Sequence, residues 1–225
     1  MQSLQAQKIN SQLRVELVER FKQLHTSLRQ REDLPAEVKE ILFVIRRADL
    51  ADYSARIAAG IAEKAIPSWQ KELEAHPGES PQLIAFEWND SDYRCVVANS
   101  YGVVGLRELN KAELPLFNDP GWDYSFFYDI EADHGFELYF FELLEQYLPY
   151  SEYEFTLEDE TTAIGFSYQQ LQSMIPVLNE LLAHDAFSIL DRKDAFDGLE
   201  LRVGFPFSLV VHDGGNLIHP FYMKV

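Results

Sequence analysis

The chain has 225 residues, 47% hydrophobic and 13% aromatic, with 37 acidic and 19 basic side chains and a formal net charge of −18. Such a chain can bury a substantial core as one large or two small domains, and its aromatic content excludes a disordered acidic polymer. Nucleic acid and anionic membranes call for Lys and Arg surfaces and are disfavoured as partners, while a lone cysteine, Cys95, rules out an intrachain disulfide.

In chain order, Ile9, Leu13, Leu17, Phe21, Leu24 and Leu28 recur at spacings of three and four and predict a long helix over 4–30. The stripe is narrow and seam-like. Its ordinary use is packing on its own domain; a homodimer through this helix is the second reading. Asp33-Leu34-Pro35 separates it from a helix over 35–47, and Asp49 can cap a third over 50–65. Pro67 opens a short segment to Ala75, and the His76–Pro81 run reads as a loop. The chain thus divides into a helical N-terminal region, 1–76, and a sheet region, 82–225, expected to form one compact unit.

Gln82–Trp88 and Tyr93–Ser100 flank Asn89-Asp90-Ser91-Asp92 as a hairpin, with Cys95 on a packed strand face rather than acting as a nucleophile. Residues 122–131 alternate, with Trp122, Tyr124, Phe126, Tyr128 and Ile130 on one face and Asp123, Ser125, Phe127, Asp129 and Glu131 on the other. After Asp133-His134-Gly135 a helix is expected over 136–147. A second alternating run, 152–158, puts Glu152, Glu154 and Glu158 opposite Tyr153, Phe155 and Leu157. Strand, helix, strand suggests a βαβ unit whose helix covers the aromatic face and leaves the acidic face open. A helix follows over 167–184, with Pro176 either kinking it or marking its true start. Strands are expected at 198–204, 207–213 and 216–223, with Gly214-Gly215 as the last turn. The fold class is α+β (or α/β): a mixed sheet with helices mainly on one face.

Charge is distributed unevenly. Residues 1–75 carry twelve basic and eleven acidic side chains, whereas 76–225 carry seven and twenty-six. Between Lys111 and Arg192, eighty residues contain no lysine or arginine, yet they hold seventeen acidic and seventeen aromatic side chains. A block of one sign focuses a field that steers basic partners.

Local motifs are weaker. Asp129, Asp133 and His134 open like a calcium loop, but Gly135 comes one place late and Phe140 stands where the loop's closing Glu would be. Asp133 serves more simply as a helix cap. His212 and His219, placed on one face by a Gly214-Gly215 turn, are too few for a closed zinc site. Glu87, Asp123, Asp129 and Glu152 beside aromatic rings could supply a glycosidase-type carboxylate pair. No Gly-rich phosphate loop, nucleophile elbow or paired-cysteine motif occurs. No catalytic residue, metal or cofactor is assigned.

The sequence therefore favours a soluble, cytoplasmic, acidic binding protein that captures a basic protein partner through Asp123, Asp129, Glu131, Glu152, Glu154 and Glu158. Bacterial immunity proteins inhibit basic nucleases by the same physical logic, an analogy of charge and not of family. The alternative is a carboxylate-based hydrolase or metal-dependent enzyme.

Overall fold

The computed structural model describes residues 2–77, 81–87, 97–103, 122–123, 130–147, 163–212 and 216–225. α1 (Gln2–Arg29) buries Ala6, Leu13, Leu17 and Leu28 along the stripe read from the sequence. The seam is thus filled from within the chain. α2 (Ala36–Arg47) turns Val38, Ile41, Leu42 and Ile45 inward. α3 (Leu50–Gly60) is capped by Asp49, whose carboxylate accepts from the Ala51 and Asp52 N–H groups at 3.1 Å each. A π-helical turn, Ile61–Ala65, runs without a break from α3 into α4 (Ile66–Ala75), and Pro67, which cannot donate to the preceding turn, follows directly on it.

Among the described residues six strands form one mixed sheet in the order β3-β6-β5-β1-β2-β4. β1 (Leu83–Glu87) pairs antiparallel with β2 (Val97–Val103), as the hairpin reading expects, and parallel with β5 (Pro206–His212). β6 (Asn216–Met223) lies antiparallel to β5. The two outer strands are β3 (Trp122–Asp123), on β6, and β4 (Ile130–Glu137), on β2.

This pairing corrects the βαβ expectation. Trp122–Asp123 and Ile130–Glu137 do not belong to one strand; they occupy opposite edges of the sheet. Asp133-His134-Gly135 is not a loop before a helix. Ala98 pairs with Phe136 and Ser100 with Ala132, so four steps along β4 match two along β2, and the extra residues form an irregularity within the strand. Helix α5 (Phe141–Tyr147) starts five residues later than expected, which removes the capping role of Asp133. The side chains explain the shift. Phe136 and Leu138 are buried while Glu137 between them is exposed, a period of two that extended backbone satisfies and a helix does not.

α6 (Ala163–Asp191) is longer at both ends than the sequence suggested and passes through Pro176, which marks no start. Residues 198–204 form no strand; a 3-10 turn at Asp197–Leu199 and irregular backbone lead into β5. α1 and α3 both pack on α6. From α6, Phe187 enters an aromatic cluster against the sheet, with ring centroids 4.7 Å from Phe207, 4.9 Å from Phe221 and 5.6 Å from both Phe86 and Phe196. At the Phe207/Ser208 irregularity β6 gains a residue, so both Phe221 and Tyr222 join this core, and Pro220, which has no N–H to give a ladder, stands beside it. One buried cluster unites α2, α3, α4, α6 and all strands from β1 to β6 except β3, so the helical and sheet regions share a core.

The face away from the helices is not open at the centre of the sheet. Leu83, Ala85 and Ser208 alternate with the core-facing Ile84, Phe86, Phe207 and Leu209, yet each is fully buried. Among the described residues no helix is long and apolar enough to cross a membrane.

Candidate functional site

The acidic positions singled out by the sequence fall on the sheet's periphery where they are described. Asp123 lies in β3 and Glu131 in β4, five strand spacings apart, or roughly 24 Å across the sheet. Asp129, Glu152, Glu154 and Glu158 lie outside the described residues, as do Cys95 and the expected strand 152–158. Glu87 ends the central strand β1 and is separated from β3 by β5 and β6. His212 pairs with Asn216 and His219 with Leu209. The connection is therefore three residues long, Asp213-Gly214-Gly215, and one extra residue moves positions 212 and 219 to opposite faces of the sheet. Among the described residues no group of three or more His, Cys, Asp or Glu could hold a metal ion.

The most built polar feature is one the sequence did not mark. A cleft of about 600 Å³ opens between the first half of α1, the end of α6 and the segment after β6. The Asn10 side chain grips the backbone of Met223 twice: Nδ2 donates to its carbonyl and Oδ1 accepts from its N–H, each at 2.8 Å. A strand edge offers the same donor and acceptor, so an asparagine on a helix here completes the β6 ladder. His184 reaches the Asn10 carbonyl with Nε2 at 3.1 Å and Asp185 Oδ1 with Nδ1 at 3.2 Å. Arg14 forks onto Asp185, with Nε and Nη2 donating at 2.7 and 2.9 Å. On the other wall, Asp191 Oδ2 accepts from the Tyr222 hydroxyl at 2.8 Å and from the Val225 N–H at 2.6 Å.

Electrostatics follow from these contacts. Partial burial alone would raise the Asp185 carboxyl, but hydrogen bonds from His184 and Arg14 outweigh it and hold the group at about 2. Burial, then the neighbouring Asp191 charge, pushes the Tyr222 phenol upward, so it remains a donor. In chemical terms the network is closed. Asn10, His184 and Tyr222 are buried and each bonds within the protein. This is a clasp tying α1 to β6 and α6.

Two unbonded carboxylate oxygens lie on the same two helices. Glu180 Oε1 on α6 and Glu16 Oε2 on α1 are buried without a hydrogen-bond partner. Burial pushes the Glu180 carboxyl up to about 8, with Arg20 pulling the other way. At the junction of β4 and α5, Phe140 takes a left-handed backbone conformation (φ 72°), unusual for a bulky residue. Asn179 Oδ1 steadies it by accepting from the Tyr139 N–H at 2.9 Å. A signal for Glu180 was present in the sequence: it is the one charge within Val177–Ala183, on a helix apolar on every side. The Asn10 clasp had no such signal, because its partner is 213 residues away.

No family model, no curated protein and no solved structure matches this chain.

Proposed function

We propose that the protein is an acidic binding protein that captures a basic protein partner in a reducing, cytoplasmic setting. The observation that carries this reading is the segregation of charge. The near-neutral first third of the chain supplies α1 to α4, whereas residues 76–225 hold twenty-six acidic and only seven basic side chains. Such a field accelerates encounter with a cationic surface and is screened by salt. The partner-facing set is Asp123, Asp129, Glu131, Glu152, Glu154 and Glu158. With Asp123 and Glu131 on opposite sheet edges, the contact would have to span the sheet or use its two rims.

The carboxylate-hydrolase alternative requires two acids converging in a pocket, one of them neutral at working pH. Of the acids lining the cleft, Asp191 is instead engaged by the Tyr222 hydroxyl and the Val225 N–H, and Asp197 lies 3.9 Å from Lys224. A homodimer through α1 would have to use its outer side, where Leu4 and Val15 are exposed, because the inner stripe packs on α6. Sedimentation at micromolar concentration distinguishes that assembly from a monomer.

The test is stopped-flow association with a partner captured from the native cell at low salt. Neutralising Glu152 and Glu154 to Gln should slow association much more than it speeds dissociation. Raising salt from about 0.05 to 0.5 M should slow the unaltered protein and shrink the difference, as the screening length falls severalfold. Unchanged association of the double variant at low salt would refute the reading.

A further inference from the structure

Along α6, Val177 and His184 mark a stripe turned toward α1: Val177 clusters with Leu17, and His184 bonds the Asn10 carbonyl. Glu180 lies between them, about one turn from each on the same stripe. Its side chain is set into the α1–α6 seam, in a residue only 7% exposed, with Oε1 lacking any hydrogen-bond partner. A charged carboxylate in such a place loses its hydration without a full replacement, whereas the protonated form is tolerated.

The surrounding charges do not reverse this. From α1, Arg14 is committed to Asp185, and Arg20 exerts an attraction that only partly offsets the burial. On α6 itself, Asp185 and His184 bond to each other and to α1. α3 also packs on α6, with Asp52 and Arg56 paired together, and the segment after β6 contributes Lys224 close to Asp197.

We propose that docking of α1 on α6 is coupled to protonation of Glu180, making α1 a strap that is fastened while the carboxyl holds its proton and loosens as pH rises. Release uncovers Leu17, Val177 and Leu181. The direction follows from linkage. The docked state holds the proton up to about pH 8, while a solvated Glu releases it near 4.5. Between these values each pH unit favours the undocked state by about tenfold, roughly 70-fold in all from pH 5 to pH 7, levelling off about one unit above the docked value.

Amide hydrogen exchange from pH 5 to 9.5, corrected for the intrinsic pH dependence of exchange, tests this. Amides of Leu13 and Leu17 should open more readily than those of Phe207 and Leu209, and their protection should fall with pH in the window above. In Glu180→Gln the fall should vanish; the difference between the two slopes isolates Glu180 from the adjacent His184. Should that variant not fold, Arg20→Gln reads the same coupling, because loss of the cation extends the sloping range to higher pH. Equal protection of α1 and the sheet, or the same slope with and without the Glu180 carboxyl, would overturn the proposal. An unmoved range in Arg20→Gln would do so as well.

Discussion

Replacing Asn10 with alanine tests whether the clasp fastens α1 to the sheet. The substitution removes both bonds to Met223 at once and leaves the N–H and carbonyl of a fully buried residue without partners. An orphaned buried polar group costs about 1–3 kcal/mol, so the two together should cost about 2–5 kcal/mol, less whatever water entering from the neighbouring cleft restores. For a chain of this length each kcal/mol lowers the melting temperature by about 2–4 °C, which gives a drop on the order of 10 °C. Ser11→Ala is the matched control. Its hydroxyl only donates back to the Gln7 carbonyl on an exposed helix face, and its loss should stay within about 0.5 kcal/mol. Urea unfolding at constant pH measures both variants. A loss for Asn10→Ala no larger than that for Ser11→Ala would refute the view that α1 is anchored through the β6 backbone.

Phe187→Ala should be among the most damaging single changes, costing about 3–5 kcal/mol, because the ring is buried among Phe86, Phe196, Phe207 and Phe221; thermal melts would show it. Asp185 acts on stability in the sense opposite to Glu180. Its carboxyl lies below the ordinary value of 3.8, so its contribution is present above that pH and is lost as pH falls through about 2. Allowing for the exposed side of its Arg14 partner, the contribution is on the order of 1 kcal/mol. Arg14→Gln should bring the onset of acid destabilisation to a higher pH, readable from melting temperatures between pH 2 and 5; an unmoved onset would show that the fork contributes nothing.

Local physics made α1 to α4, the β1–β2 hairpin and the β5–β6 pair legible in the sequence. The Leu13–Leu17–Leu28 stripe, the Asp49 cap and the proline at the head of α4 act within a turn or two of themselves. The βαβ reading failed where two periodicities overlap. Phe136, Tyr139 and Phe140 fit a helix, Phe136, Leu138 and Phe140 fit a strand, and pairing with Val97–Val103 decides between them. The register of His212 and His219 turned on a single loop residue. The parallel pairing of β1 with β5 and the grip of Asn10 on Met223 join residues more than a hundred apart, and no local pattern encodes them. Of the candidate binding set, the sequence marked a charge density; the sheet order then separated Asp123 from Glu131, which depends on pairing and not on composition.

The parallel seam between β1 and β5 and the Asn10 grip on β6 also impose an order on assembly during synthesis. α1 leaves the ribosome well before the surfaces that cover its apolar stripe, Val177 and Leu181 on α6 and the backbone of Met223. β1 likewise waits more than a hundred residues for its parallel neighbour. Closure of the sheet must therefore follow translation of nearly all of these residues, and the entropy of closing such long loops precedes any reward from contact. For that interval the chain carries an exposed helical stripe and an unpaired strand edge, the two features that chaperones bind and that aggregation exploits. The distant contacts of α1 with α6 and β6 that hold the folded molecule together thus leave it most vulnerable while those later elements are still being made.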